Sequence, residues 1–135
     1  MLINLSNHPL PQWSEKQIQE ANKLFGEIVD LPFPQINPSC DTSEIRRLAN
    51  EYLQKIIEID NQQKLIKAQT DDGVFSGHLV VVHIMGELTF CFMLIDLLRN
   101  EGIKCVASTT QRNVIEQEAG KKTLLFSFVR FRDYF

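Results

Sequence analysis

The segment HLVVVHIM, residues 78–85, places the strongest constraint on the fold of this chain. Its apolar residues are continuous rather than alternating, which is typical of a strand that is buried on both faces. Such strands occur in parallel sheets, because the helices that connect parallel strands cover both faces of the sheet. The segment therefore predicts an α/β protein.

Other segments supply the partners of this strand. Residues 1–5 (MLINL), 27–31 and 103–107 are predicted strands, and capping boxes at Ser14-x-x-Gln17 and Asp41-x-x-Glu44 predict the starts of two helices. A third helix follows Gly86-Glu87, and residues 113–135 are typical of a β-hairpin that turns at residues 119–121. The polar stretch 61–77 is predicted to be either mobile or a cover for the site.

This order of elements predicts a Rossmann-like parallel sheet. Strands that alternate with helices are joined by right-handed crossovers, which favours the strand order 2-1-3-4. The C-terminal antiparallel β-hairpin then extends the sheet. A chain of 135 residues fits one domain, residues 1–135, which buries roughly two-thirds of its unfolded surface.

Composition narrows the classes of partner. The net charge of −3 provides no global basic field, so we expect neither duplex nucleic acid nor a membrane as a partner. The three cysteines have no CxxC spacing, which is typical of free thiols in a reducing cytoplasm. No basic segment followed by a long apolar one indicates a signal peptide, and no apolar run is long enough to span a bilayer.

The predicted topology locates a site. Ligands of open parallel sheets bind beyond the carboxyl ends of the strands, where the strand order reverses. With order 2-1-3-4 that point lies between the first and third strands. The segments that follow the relevant strands are SNHP, MGE and STTQR, and we expect them to line one pocket.

The MGE segment opens the third helix and has two interpretations. Gly86 allows a ligand to approach the backbone, and the N–H groups of a helix start suit a phosphate. Glu87 then accepts a ribose hydroxyl, and Thr89 joins the binding set. Alternatively, Gly86 only permits a tight turn and Glu87 only complements the helix dipole. Neither GxGxxG nor GxxxxGK[ST] is present, so no dinucleotide or Walker-type site is predicted.

The STTQR segment also has two interpretations. The hydroxyls of Ser108, Thr109 and Thr110, together with Gln111 and Arg112, suit a phosphodiester whose charge the guanidinium offsets. Alternatively, the segment is a solvated polar loop.

The three histidines differ in their predicted roles. His8 follows the first strand and is a candidate general acid or base, although a loop histidine is more often only a hydrogen-bonded polar residue. His78 and His83 lie in the apolar strand and are predicted to be structural, His83 as a core histidine with satisfied hydrogen bonds. Their spacing does not fit a metal site, and we expect neither a metal nor a cofactor.

The C-terminal aromatic residues also allow two interpretations. Phe126, Phe128, Val129 and Phe131 exceed what one face of a hairpin requires, which favours a surface that pairs with a second copy of the chain. Alternatively, they cover the end of the sheet within one chain. We expect a homodimer.

Four segments together resemble a known family. LSNHP with the following tryptophan, VHIMGELTF, GIKCVASTTQR and FVRFRDY, which span nearly the whole chain, resemble the CARF-type ring nucleases and cyclic-oligoadenylate-binding proteins of type III CRISPR systems, which act in antiviral defence. Domains of this type dimerise and hold a cyclic oligoadenylate over the carboxyl ends of the strands. The resemblance implies that the following residues line that site: Ser6, Asn7, His8, Ser108, Thr109, Thr110, Gln111 and Arg112.

The resemblance also implies a mechanism without a metal. A ribose 2′-hydroxyl attacks the adjacent phosphate and a cyclic phosphate forms, so the protein orients the ring and stabilises the charge of the phosphorane. The resemblance implies that Arg112, helped by the Gly86 backbone, stabilises the charge of the phosphorane. His8 would then carry the proton that is transferred in the reaction. The chain departs from the family in its net negative charge, although a dimer would supply each cation twice.

Two other function classes remain open at this stage. The pocket could bind the nucleotide without cleaving it, as a binding module or sponge. The chain could instead be a protein-interaction domain that uses the Phe-rich hairpin and has no ligand chemistry.

Overall fold

A computed structural model of the protein describes residues 1–70 and 76–135. The strands are β1 (Leu2–Ser6), β2 (Ile28–Asp30), β3 (Val81–Met85), β4 (Lys104–Glu116) and β5 (Lys122–Asp133), and the helices are α1 (Glu15–Phe25), α2 (Thr42–Thr70) and α3 (Leu88–Asn100). The five strands form one sheet in the order β2-β1-β3-β4-β5. All neighbouring pairs are parallel except the antiparallel pair of β4 and β5. The predicted fold class is confirmed.

The helices begin where the capping residues predicted. The Ser14 hydroxyl accepts from the Gln17 amide at 3.2 Å, and α1 ends at Gly26, whose φ is 82°. At the start of α2, the Glu44 amide donates to the Asp41 carboxylate at 2.9 Å and the Asp41 amide donates back to Glu44 at 2.8 Å. The reciprocal capping box therefore forms at Asp41 and Glu44, while at α1 the Ser14 hydroxyl caps the helix by its one bond.

Two apolar clusters cover the two faces of the sheet. The larger joins α2 and α3 to inward residues of the central strands, among them Ile3, Leu5, Val82, Ile84 and Cys105. The smaller joins α1 to the other face and contains Leu2, Trp13, Ala21, Val106, Phe128 and Phe131. On this second face, which we call the α1 face, the side chains of Asn4, His83 and Ser108 alternate with those of the first cluster.

The polar stretch after the second predicted helix was assigned incorrectly. Residues 61–70 continue α2, which therefore spans 29 residues to Thr70. Glutamine and lysine are good helix formers, so polarity here marks a solvated helical surface rather than a loop. Residues 71–75 lie outside the described residues, and whether they cover the site stays untested.

The STTQR segment was also assigned incorrectly, since it lies inside a strand and not in a loop beyond one. β4 runs unbroken from Lys104 to Glu116 and pairs with β5 along its length, with one irregularity between Thr109 and Thr110. The predicted fourth strand and the first arm of the hairpin are therefore one strand. As a result, the side chains of residues 108–112 alternate between the two faces of the sheet.

The aromatic residues of the hairpin fall into two groups, one buried within the chain and one exposed. Phe128 and Phe131 are buried against Trp13 and α1, so they cover the sheet within one chain. Phe126 is 65% exposed, and Val129 is also exposed.

In the described part of the chain, no helix is long and apolar enough to cross a membrane.

Candidate functional site

A cavity of about 540 Å³ is lined by α3, Tyr134 and Phe135. A second cavity, of about 440 Å³, opens on the α1 face, at the carboxyl ends of β1 and β3 and beside β4, and we call it the main cavity because of this position. This is the place that the topology predicted for a site. The residues that line it are His8, Gln12, Trp13, Gln17, His83, Met85, Ser108, Thr110 and Phe126. It thus combines two aromatic rings with several groups that donate or accept hydrogen bonds, as ligand pockets commonly do.

The loop after β1 is held by one carbonyl group. The His8 main-chain oxygen accepts from the Asn4 amide at 2.9 Å, from the Trp13 indole at 2.9 Å and from the Ser6 hydroxyl at 3.0 Å. These bonds fix the turn that carries the His8 imidazole, whose Nδ1 lies 3.4 Å from Gln12 Oε1. The polar cluster at the end of the first strand therefore both ends the strand and positions His8 at the cavity.

A hydrogen-bonded chain, which we call the relay, crosses the sheet beneath the cavity, and its two middle members, Asn4 and His83, are buried. The Asn4 amide donates to the Asp30 carboxylate at 2.8 Å, and its Oδ1 lies 2.9 Å from His83 Nδ1. His83 Nε2 lies 3.0 Å from the Ser108 hydroxyl oxygen. The relay thus runs from Asp30 through Asn4 and His83 to Ser108, across β2, β1, β3 and β4.

The hydrogen bonds of the relay determine which ring nitrogen of His83 carries the proton. Both N–H groups of Asn4 are used, one on Asp30 and one on the His8 carbonyl, so Asn4 Oδ1 faces His83 as an acceptor. His83 therefore carries its proton on Nδ1, and Nε2 accepts from Ser108. The Met85 sulfur also lies 3.0 Å from the Ser108 oxygen, but a thioether is the weaker acceptor.

The surroundings of His83 keep its imidazole neutral. The side chain is 1% exposed and packs edge-on against the Trp13 and Phe131 rings, with centroid distances of 5.1 and 5.7 Å. Burial, and secondarily the positive charge of nearby His8, lowers the pKa of His83 to about 4. The prediction that His83 is a core histidine with satisfied hydrogen bonds is confirmed.

The strand β4 separates the five predicted residues of STTQR into two sets. Ser108 and Thr110 line the cavity, and Arg112 lies on the same face, directly opposite Phe126. Side chains that face each other across antiparallel strands are neighbours, so Arg112 lies beside the cavity. Thr109 and Gln111 lie on the other face, where the Thr109 hydroxyl donates to the Arg130 carbonyl at 3.1 Å.

The start of α3 does not provide the open phosphate site that one interpretation predicted. The Glu87 carboxylate accepts from the amides of Thr89 and Phe90 at 3.1 and 2.8 Å, and from the Thr89 hydroxyl. These hydrogen bonds, first that of Phe90, lower the pKa of Glu87. Glu87 itself therefore occupies the anion position at this helix terminus.

Gly86 permits close packing rather than ligand approach. A Cβ atom at this position would overlap the ring of Phe33. The alternative in which Gly86 allows a tight turn therefore fits the geometry, with Phe33 as the reason. Gly86, Glu87 and Thr89 line neither the main cavity nor the one beside it.

Ser6 and Asn7 lie at a smaller neighbouring cavity. It has about 290 Å³ and is also lined by Asn4, Pro9 and Asp30. The Ser6 hydroxyl is within 2.8 Å of Asn4 Oδ1, so Ser6 contacts the relay from this side. Of the residues predicted to bind or catalyse, His8, Ser108 and Thr110 line the main cavity, and Arg112 flanks it.

Sequence reasoning missed a site role for Asn4, His83, Trp13 and Phe126. A usable signal was present: Asn4 is the one polar residue in the apolar segment MLINL, and His83 interrupts VVHIM. A polar side chain in a strand buried on both faces requires a hydrogen-bond partner. The parallel register of β1 and β3 makes these two residues partners.

The family of the chain follows from its sequence. Residues 1–132 match the sequence model of a family described as the uncharacterized protein MJ1673 family. The chain belongs to the MJ1673 family. The match includes every element of the sheet, as well as His8, Ser108 and Arg112. No curated protein and no solved structure matches the chain.

The described residues also bear on metal binding. In residues 1–70 and 76–135, no three histidine, cysteine, aspartate or glutamate side chains are grouped as metal ligands would be. What the site offers chemically is a neutral imidazole acceptor, hydroxyl groups, aromatic faces and one adjacent guanidinium.

Proposed function

We propose that this MJ1673-family protein binds a cyclic oligoadenylate in the main cavity and cleaves it, as a ring nuclease of a type III CRISPR system. The observation that supports this most is the pairing of aromatic and polar side chains in a single cavity. Phe126, which is 65% exposed, offers a ring face on which an adenine base stacks, and the largely buried Trp13 contributes to the cavity wall beside it. Gln12, Gln17 and Thr110 offer groups for base edges and ribose hydroxyls.

Arg112 is the phosphate ligand in this proposal. It faces Phe126 across the hairpin, so a base stacked on the Phe126 ring would place its phosphate near the guanidinium. The net charge of −3 makes this local cation important, because the protein as a whole does not attract a polyanion. A second copy of the chain would double the number of cations around a ring.

The proposed chemistry is attack by a ribose 2′-hydroxyl on the adjacent phosphorus, without a metal. Arg112 stabilises the negative charge that develops on the phosphorane, and His8 donates a proton to the departing 5′-oxygen. The backbone of Gly86 has no part in the proposal, because Phe33 packs against it and Glu87 takes the helix amides.

The proposal includes a homodimer formed through the end of the hairpin. This region carries exposed apolar side chains on both faces: Val114, Leu124 and Phe126 on the α1 face, and Ile115 and Leu125 on the other. β5 is also one of the two outer strands of the sheet, and within the described residues no strand pairs with its outer edge. Since the exposed patch is continuous with the cavity at Phe126, a second copy seated there would lie beside the ligand.

The proposed function places the protein in antiviral defence in the cytoplasm. Cys40, Cys91 and Cys105 are free, as in proteins of a reducing compartment. Burial raises the pKa of Cys91 to about 11 and that of Cys105 to about 12, so these two thiols stay protonated and unreactive.

The test uses cyclic tetra-adenylate and cyclic hexa-adenylate in the presence of EDTA. Trp13 is the single tryptophan of the chain, so its fluorescence reports occupancy of the cavity directly. Chromatography of the same samples reports cleavage. We expect one ring to quench Trp13 and to be converted to a linear product with a 2′,3′-cyclic phosphate.

Matched variants identify the site. Arg112→Ala should weaken ring binding by about tenfold or more, as loss of a charge-assisted hydrogen bond does. Arg130→Ala removes an exposed arginine from the opposite face of the same hairpin and should leave binding unchanged. His8→Ala should retain binding and lose cleavage. Binding without cleavage by the wild type would instead indicate a sponge, and no binding of either ring would refute the proposal.

A further inference from the structure

The relay differs from an ordinary buried network in that one end reaches the cavity. Asn4 is 1% exposed and His83 is 1% exposed, but Ser108 is only partly buried and lines the cavity wall. A buried histidine needs a hydrogen-bond partner at each ring nitrogen, and at Nε2 of His83 that partner lines the cavity. Here the Nε2 lone pair is directed to the hydroxyl that faces the ligand, at 3.0 Å.

The geometry matches that of base-assisted hydroxyl groups in enzymes. Such sites place the hydroxyl and the imidazole within hydrogen-bond distance, and a third group orients the imidazole. Asn4 is that third group, because it receives the Nδ1–H at 2.9 Å and is itself held by Asp30 at 2.8 Å. The neutral Nδ1–H form of His83 is the form that accepts a proton at Nε2.

We propose that Ser108 and His83 together accept the proton of the attacking 2′-hydroxyl, with Asn4 as the positioning residue; this inference rests on the proposed function. The 2′-hydroxyl donates its proton to the Ser108 oxygen while Ser108 passes its own proton to His83 Nε2. The bond between the 2′-oxygen and phosphorus forms, and the bond between phosphorus and the 5′-oxygen breaks. His8 gives a proton to the departing 5′-oxygen.

The protons return after release of the product. The proton on His83 leaves through Ser108 to solvent in the open cavity, and His8 takes one up from solvent. The product is a linear oligoadenylate with a 5′-hydroxyl and a 2′,3′-cyclic phosphate. The two histidines thus have separate roles: the exposed His8 supplies a proton, and the buried His83 receives one.

The experiment compares four variants with the wild type under conditions in which a ring is bound. Ser108→Ala removes the relay hydroxyl, and Ser108→Thr retains a hydroxyl. His83→Gln removes the base, and Ser127→Ala is the matched control, since Ser127 lies opposite Gln111 on the far face of the hairpin. The dissociation constant is measured by Trp13 fluorescence and kcat by single-turnover cleavage, and thermal unfolding confirms that each variant is folded.

We expect Ser108→Ala to lower kcat by about 10²-fold or more, the usual effect of losing a general base, with little change in the dissociation constant. His83→Gln should match it, Ser108→Thr should restore most of the rate, and Ser127→Ala should equal the wild type. If His83→Gln fails to fold, Ser108→Ala alone tests the role of the relay in cleavage. This variant is expected to fold, because it removes only one partly exposed oxygen.

The contrary outcomes separate the two proposals. If a ring is cleaved by Ser108→Ala at the wild-type rate, the relay has no role and the ring nuclease proposal stands. If the wild type binds a ring without cleaving it, the relay is overturned and the binding proposal stands. If neither ring is bound, the proposed function fails and the relay fails with it.

Discussion

Asn4 and His83 are separated by 79 residues in the chain, yet Asn4 Oδ1 and His83 Nδ1 lie 2.9 Å apart. The parallel register of β1 and β3 pairs these two positions directly. Each is the polar residue of an otherwise apolar strand, and each satisfies the other in a place that water barely reaches. This pair connects the packing of the sheet to the chemistry of the cavity.

Asn4→Leu should therefore destabilise the protein strongly. The substitution removes the acceptor of the buried His83 Nδ1–H, and an unsatisfied buried group costs about 1–3 kcal/mol, whereas the exposed Asp30 carboxylate keeps the Leu10 amide as a donor. We expect a loss of about 1–3 kcal/mol in the free energy of unfolding, measured with urea. Asn50→Leu, on the exposed surface of α2, is the matched control and should change stability by less than about 0.5 kcal/mol.

His83 should make stability depend on pH in the weakly acidic range. Its pKa falls to about 4 in the folded state, against an ordinary value of about 6.5. The unfolded chain therefore binds a proton that the folded chain excludes, so the contribution is complete above pH 6.5 and is lost as the pH falls towards 4. At its full size, the contribution of His83 to the free energy of unfolding is about 3 kcal/mol.

The measurement is the urea midpoint between pH 7 and pH 4. Wild-type stability should fall across this window, and His83→Gln should show a flatter profile because it lacks the titrating group. Parallel profiles for the two proteins would show that other groups govern the acid dependence. The pH dependence of the His83 ring chemical shifts, followed by NMR, would measure the pKa of His83 itself.

Gly86→Ala should destabilise the protein because of Phe33 and not because of backbone conformation. An added Cβ would overlap the Phe33 ring, and overpacking of this kind costs about 1–3 kcal/mol. A smaller side chain in Phe33→Leu should recover part of that loss when the two substitutions are combined. Gly102→Ala provides the contrast: its φ is +78° with open space around it, so Phe33→Leu should not rescue it.

Asp60 should be the most important carboxylate for stability. It is 1% exposed on α2 and accepts from the Leu79 amide at 2.7 Å, with His78 at 2.7 Å and Lys64 at 2.8 Å. Burial by itself would raise the pKa of Asp60, but the hydrogen bonds from Lys64, His78 and Leu79 together outweigh it and lower the pKa. Asp60 therefore contributes stability above its ordinary pKa, and this contribution is lost as the pH falls through the lowered value.

Asp60→Asn should lower the free energy of unfolding by about 3 kcal/mol, since it leaves a half-buried cation site without its anion. The control is Asp96→Asn, whose exposed partner Arg99 lies at 2.7 Å, and it should cost less than about 1 kcal/mol. Equal effects in the two variants would argue that burial of Asp60 adds nothing.

The hairpin should mediate self-association. We expect the wild type to sediment as a dimer, and we expect Leu124→Ser combined with Leu125→Ser to shift it to monomer, because both side chains are exposed at the hairpin end. Leu65→Ser removes an apolar side chain that is 66% exposed on α2 and should leave the dimer intact. A monomeric wild type at all concentrations tested by analytical ultracentrifugation would exclude this interface.

Local chemistry in the sequence was sufficient for the starts of the helices and for the order of the elements, but not for the full extent of α2 and β4. The capping boxes placed the starts of α1 and α2, Gly26 ended α1, and the continuous apolar segment around β3 required a parallel sheet. These features act over a few residues, so they can be read without knowledge of the partner. The general position of the cavity also followed, because the strand order determines where the carboxyl ends converge.

Only the tertiary structure decided which side chains meet. Ser108 to Arg112 carry polar groups typical of a loop, but pairing with β5 extends β4 through them and sends alternate residues to opposite faces. Gly86 is close to Phe33 and Asn4 is close to His83, in each case across dozens of residues. Contacts between distant segments depend on sheet register and packing, which no local pattern of residues encodes, and the relay beneath the cavity arises from that register.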